Sequence, residues 1–405
     1  MDEILIKHLG PIQEVRIKPS RLTLLVGEQA CGKSLVAQVT YFFRAIRSLV
    51  ARYYSPELVV EEKWQEKLVK KILDDLRGVP FGYFANGTAY LHYREEGLSW
   101  WSIHVYKSNR SVRLNKAFKD YLSNLVQEWM SSEQKSDLSK EWIQRHIFIP
   151  TERSVFTRLS QKAPTVLYAE HQPLLLRLFA EYLDTAKDIY SKLYEKNERQ
   201  ELADVFGQDW MRSVDYVLEQ QRRTIRGEAY TPSRGPKLWK WMVGSTEGKS
   251  HVLPIEATAS GQMEAWPFFV VAATFNSIFQ KMSVYFEEPE THLHPAAQVE
   301  LMRTIVYLVN REQSFFLTSH SPYVLYEINN MLQRYKVREK GPARENQLFL
   351  DPTLVSAYQI KSDGTTLSLL DHEETGLVDA SELERVAEEL GSEFEDLLRL
   401  EEPEA

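Results

Sequence analysis

The chain has 405 residues, 43 % hydrophobic and 12 % aromatic, which fits two to three lobes; no run of about 18 apolar residues occurs, so no membrane contact is expected. Its single cysteine, Cys31, excludes a disulfide within the chain and, with no basic or apolar signal block at the start, points to a reducing, cytoplasmic setting. The net charge of −8 gathers at the end: residues 372–405 carry 13 acidic and 2 basic side chains, leaving 44 acidic and 47 basic before them, a balance that permits nucleic-acid contact without demanding it.

Residues 4–7, 14–18 and 22–26 read as short strands separated by Gly-Pro and Pro-Ser turns. A long apolar-rich helix is expected over 34–54 and a charged amphipathic helix over 57–76. Residues 81–106 alternate as a small antiparallel sheet would, and 114–130 return to helical spacing. Residues 147–150 look like a buried strand, 171–226 a charged helical stretch without heptads, and 229–254 strands and turns. An apolar helix over 265–279, a strand at 284–286, a helix over 295–310 and a strand at 314–317 follow. Leu383, Val386, Leu390, Phe394, Leu397 and Leu398 recur at helical spacing in the acidic tail, read as a solvated amphipathic helix with docking as the alternative. Strands alternate with helices at both ends around a long insert. The expectation is an α/β fold split in sequence: 1–55 and 255–370 form one core, 56–146 an inserted mixed lobe, 147–254 a helical lobe with strands, and 371–405 the acidic helix.

Gly27-Glu28-Gln29-Ala30-Cys31-Gly32-Lys33-Ser34 matches G-x-x-x-x-G-K-[ST], follows an apolar strand and opens a helix, the context this phosphate loop needs. Its glycines let backbone N–H groups turn inward toward phosphate oxygens, Lys33 is placed to reach the β- and γ-phosphates of ATP, and Ser34 to bind Mg2+. Cys31, inside the loop, is either a tolerated small residue or a thiol made reactive by Lys33 and the helix start.

Glu287 and Glu288 end an apolar strand. They are either an ordinary acidic loop or, beside a phosphate loop, a Mg2+-linked carboxylate (Glu287) and the group that polarises the attacking water (Glu288). His320 ends a second such strand; a lone histidine there is either a structural side chain or one placed to hydrogen-bond the γ-phosphate or the water. Ser260, Gly261 and Gln262 open the 265–279 helix. They form either a plain N-cap or an anion nest, one poorly placed for the phosphates that Lys33 holds but available to those of another copy.

These pieces, in this order, resemble the ABC-type ATPases of the SMC, RecF and OLD group: residues 6–12 and 22–34 its first strands and Walker A, 257–262 its signature, 287–295 its Walker B and D-loop, and 317–325 its switch histidine. Ile-Pro-Thr-Glu-Arg-Ser at 149–154 and the stretch 375–379 are similar to segments of the group's stand-alone prokaryotic members. The resemblance implies an ABC/SMC-type ATPase head that forms a head-to-tail homodimer holding two ATPs, with Ser260, Gly261 and Gln262 completing the partner's site. It departs from the pattern where the usual Walker B aspartate is Glu287 and the usual Pro-Asn is Glu28-Gln29; Gln144 is the Q-loop candidate. No D-x-D follows His320 and no Cys/His metal spacing occurs, so nuclease chemistry is expected on a separate effector protein. Two-gene anti-phage systems such as PARIS and Septu are the nearest analogues, with a RecF-like repair ATPase that binds DNA as the alternative. For DNA, the expected surface is Arg222, Arg223, Arg226, Arg234, Lys237 and Lys240, interleaved with Tyr230, Trp239 and Trp241, unless these form only a solvated basic face.

Overall fold

A computed structural model describes residues 2–131, 146–159, 172–230, 239–243, 251–278, 281–338, 348–371 and 375–401. In chain order, β1 (Glu3–Leu9), β2 (Ile12–Ile17) and β3 (Leu22–Val26) lead into α1 (Lys33–Arg44), α2 (Ile46–Tyr53), α3 (Pro56–Val60) and α4 (Trp64–Arg77). Next come β4 (Ala85–Arg94), β5 (Trp101–Tyr106), β6 (Val112–Leu114), α5 (Lys116–Ser131) and β7 (His146–Ile149). The helical run α6 (Ser154–Leu159), α7 (Leu174–Lys192), α8 (Lys196–Phe206) and α9 (Gln208–Ile225) precedes β8 (Gly227–Tyr230), β9 (Lys240–Val243) and β10 (His251–Pro254). The chain closes with α10 (Ser260–Ile278), β11 (Ser283–Glu287), α11 (Pro295–Val309), β12 (Ser314–Ser319), α12 (Pro322–Val337), β13 (Val355–Ile360), β14 (Thr366–Ser368) and α13 (Ser381–Glu401).

The central sheet has the order β14-β13-β3-β12-β11-β7, parallel except for β14. β3, β11 and β12 are short apolar runs buried on both faces, as parallel strands between two layers must be. Their side chains divide the interior: Val284, Phe286, Phe315 and Leu317 face a core built with α7 and α9–α12, while Tyr285, Phe316, Phe148 and Leu25 face a second core with α1, α2, α4 and α5. The α/β class expected from the sequence is the class observed.

The insert is not free-standing. β4, β5 and β6 extend the β1–β2 hairpin into one antiparallel sheet, order β2-β1-β4-β5-β6, so a boundary at 55/56 runs through a sheet. β5 shows why it lies there: Trp101, Ile103 and Val105 are buried, while Ser102, His104 and Tyr106 alternate outward. The helix expected over 34–54 is two, broken at Ala45 (φ −90°, ψ 7°), and the one over 57–76 is interrupted at Lys63, whose φ is 57°. α13 forms as expected, with Leu390, Phe394, Leu397 and Leu398 exposed. Among the described residues, no helix is long and apolar enough to cross a membrane.

Candidate functional site

β3, β12 and β11 are adjacent and parallel, so the segments leaving their C-terminal ends converge on one edge of the sheet. After β3 the loop carries Gly27 at φ 143°, Ala30 at φ 62° and Gly32 at φ 104°, which curl the backbone before α1 begins at Lys33. A Cβ on Gly27 would lie 2.3 Å from the Ile360 carbonyl oxygen, and one on Gly32 2.9 Å from Ile12 Cγ1, so both glycines are required. Glu28, Gln29 and Ala30 are exposed along the loop; Cys31 is buried. Lys33 is 5 % exposed and donates to the carbonyls of Gly27 (2.9 Å) and Glu28 (2.7 Å). Burial pulls its ammonium below the ordinary value, opposed by Cys31, Glu288 and Glu290.

At the end of β11, Glu287 is 4 % exposed, with the Ser34 side chain opposing the effect of burial on its carboxyl. Burial pushes it up to about 7, and its Oε1 has no hydrogen-bond partner among the described residues. A hydroxyl and an unsatisfied buried carboxylate oxygen beside a phosphate loop suit Mg2+, which takes a few protein oxygens and leaves the rest to water and phosphate. Among the described residues, no group of three or more His, Cys, Asp or Glu forms an all-protein metal cage.

Glu288 follows at φ 42°, its N–H donating to Thr318 O (3.0 Å). Its Oε1 lies 3.6 Å from Nε2 of His320, and Thr291 Oγ1 reaches its Oε2 at 3.4 Å. The neighbouring His320 holds the Glu288 carboxyl below its usual range, against the effect of burial. The structure therefore brings Lys33, Ser34, Glu287, Glu288 and His320 together from three strand ends.

Two further residues were given no role in the sequence. Glu290 is half-buried, and its Oε1 accepts from Ser319 Oγ (2.8 Å) and from the His320 N–H (2.6 Å), fixing the switch strand to the turn after β11. Arg153 is fully buried and donates to the main-chain carbonyls of Glu287 (2.9 Å) and Glu288 (2.8 Å). The only sequence signal for Arg153 was the 149–154 stretch.

Ser260, Gly261 and Gln262 are placed elsewhere. Ser260 is exposed, Gln262 donates to Ile225 O (2.8 Å), and a Cβ on Gly261 would lie 2.5 Å from His292 O. This turn packs on α9 and on the turn after β11. The expected DNA surface is corrected in part: Trp241 is fully buried and cannot stack on a base, and Arg222 and Arg223 are paired with Glu228 and Glu219. Arg234, Lys237 and Gln144 lie outside the described residues.

Residues 102–325 match the family model described as AAA ATPase domain, a stretch that includes Ser260, Glu287, Glu288 and His320 and excludes Lys33. Among solved structures, an Smc head bound to the C-winged helix domain of ScpA covers 92 % of this chain and 98 % of its own, at 14 % identity and a TM-score of 0.47. The Smc head domain with an extended coiled coil, bound to the C-terminal domain of ScpA and derived from Pyrococcus furiosus, covers 96 % and 100 % at 12 % identity and 0.43. The SMC head domain from Thermotoga maritima covers 90 % and 97 % at 11 % identity and 0.36. No curated protein matches the chain.

Proposed function

The chain belongs to the AAA ATPase domain family, and we propose that it binds ATP with Mg2+ and hydrolyses it at sites completed when two copies meet head to tail. The observation that carries the reading is the convergence of Lys33, the buried Glu287 carboxylate and the Glu288–His320 pair on one sheet edge, while the turn at Ser260 and Gly261 packs on the end of α9 and on His292. The loop amides and Lys33 would cradle the phosphates, and Ser34 with Glu287 would hold Mg2+, which supplies charge neutralisation at the phosphate oxygens. Glu288, held below its usual carboxyl range beside His320, is suited to orient and polarise a water; His320 is suited to sense the γ-phosphate.

Mixing two inactive variants tests this. Lys33→Ala disables a copy's own phosphate loop, and Ser260→Arg disables the turn it lends to its partner. A mixed dimer contains one site with both defects and one with neither, so turnover should return on mixing. No recovery in proven mixed dimers would count against composite sites.

The finer reading is that ATP-dependent pairing regulates a separate effector protein, such as a nuclease, in prokaryotic anti-phage defence. Its support is the resemblance of 149–154 and 375–379 to stand-alone members of the SMC, RecF and OLD group. Plaque counts on cells expressing the chain with its neighbouring gene test it: protection should disappear with Lys33→Ala, and equal counts with both proteins would remove the defence role while leaving the ATPase.

A further inference from the structure

Pro267 lies inside α10 and has no N–H, so the Met263 carbonyl four residues earlier loses its helical donor. The Thr157 hydroxyl takes that carbonyl at 2.9 Å. The next carbonyl, Glu264 O, accepts from Arg153 Nε at 2.9 Å, with the Glu264 carboxylate 3.6 Å from the same nitrogen. Two side chains from the segment after β7 thus hold the opening of α10 where the proline loosens it. That opening carries Ser260 and Gly261.

The other arms of the Arg153 guanidinium reach the opposite way. Nη1 donates to Glu287 O (2.9 Å) and Pro150 O (3.1 Å), Nη2 to Glu288 O (2.8 Å), and the group lies 4.8 Å from the Phe286 ring centre. A planar guanidinium with donors in a fixed fork can span carbonyls of separate segments at once; an ammonium is a single point. On the far side of the same turn, Gly261 sits so close to His292 O that no Cβ fits, and Glu290 of that turn holds Ser319 and the His320 N–H.

We infer that Arg153 is a positioning residue that ties the carboxylates of one nucleotide site to the turn serving the other, so that the Arg153 of each copy supports both sites of a dimer. The inference rests on the composite-site reading above. A phosphate seated on Ser260 and Gly261 fixes the opening of α10. Arg153 passes that placement through Glu264 O to the main chain of Glu287 and Glu288, whose side chains sit at the site on the same copy. Arg153 itself points at carbonyls and supports the reacting groups only through them.

The test uses the mixed dimer with one working site. One copy carries Lys33→Ala and lends only its Ser260 turn; the other carries Ser260→Arg and supplies the working phosphate loop and carboxylates. Arg153→Lys is then added to the first copy alone, whose own carboxylates are idle. The expected result is a fall in kcat of about 5- to 30-fold, the range of typical coupling effects, with KM and dimer formation within about 2-fold. If kcat is unchanged, while Arg153→Lys in the second copy lowers it, Arg153 serves only its own carboxylates and the coupling is overturned. Loss of dimer formation instead of kcat also overturns it, since Arg153 would then only shape the interface. A parent mixture that shows no activity before Arg153 is changed overturns the composite-site reading, and this inference with it. Should Arg153→Lys fail to fold, Thr157→Val in the first copy, which removes the hydroxyl held by Met263 O, must lower kcat in the same sense by a smaller factor.

Discussion

Glu287→Gln should make the nucleotide-free protein more stable, not less, above neutral pH. The side chain is buried, Oε1 is without a hydrogen bond among the described residues, and burial pushes the carboxyl from 4.5 up to about 7 even though Ser34 opposes the shift. Below about pH 4.5 the folded and unfolded chains both keep the proton, and the group adds no pH-dependent term. Between 4.5 and 7 the unfolded chain loses its proton first, so stability falls by about 1.4 kcal/mol per pH unit and levels off above 7, a total of roughly 3 kcal/mol. Glutamine has no proton to lose and keeps the shape and an acceptor for Ser34. Urea unfolding without nucleotide should therefore favour the variant by about 3 kcal/mol at pH 8 and by under about 1 kcal/mol at pH 5. With ATP and Mg2+ the order should invert, because only the wild-type carboxylate gains from a cation. An equal gain at both pH values, or a loss at pH 8, would refute the account of Glu287 as a buried charge poised for a metal.

Glu288→Gln should retain ATP affinity but slow hydrolysis by about 10²- to 10⁴-fold, the range for loss of a general base; light scattering should then show a dimer that persists with ATP and loosens with ADP, and near-normal turnover would remove the assignment. Gly261→Ala places a Cβ 2.5 Å from His292 O, so the turn must shift, at a cost of about 1–3 kcal/mol as in other overpacked sites, whereas Gly391→Ala in α13 meets nothing within 4 Å and should stabilise by about 0.5–1 kcal/mol; thermal melts of the pair decide, and equal effects would contradict the packing. A maleimide on Cys31, buried 3.6 Å from Lys33 Nζ, should abolish ATP binding, and saturating ATP should slow the labelling; a labelled chain with unchanged affinity would show that the loop does not cradle phosphate.

The ends of β3, β11 and β12 were legible because each is a short, mostly apolar run meeting a polar motif, and burial on both faces leaves a parallel strand little choice of sequence. The partner of the 81–106 sheet was not. Alternation reports which face of a strand is buried but not which distant strand it pairs with, and the β1–β4 pairing closes across some eighty residues of chain. The break at Ala45 carried no signal, since alanine is the best helix former and tertiary packing overrides it. Trp241 was read outward from its basic neighbours, but a large aromatic among charges fills a core at least as readily as it stacks on a ligand.

The least legible part of the site is what aims it. Arginine is a surface residue by habit, so nothing in its type marks Arg153 as wholly buried. Glu288 sits at φ 42°, a conformation that costs a side-chain-bearing residue about 1–3 kcal/mol and persists only where the surroundings impose it. They do so through the main chain: Thr318 accepts its N–H, and Arg153 donates to its carbonyl. The carboxylate is left about a third exposed, touched by His320 and Thr291. A group whose backbone is pinned and whose charge is not buried can face a water and still meet a bound phosphate. The motif Glu-Glu after a strand therefore locates the reacting carboxylate, while its direction depends in part on Arg153, more than a hundred positions away, where no local pattern reaches.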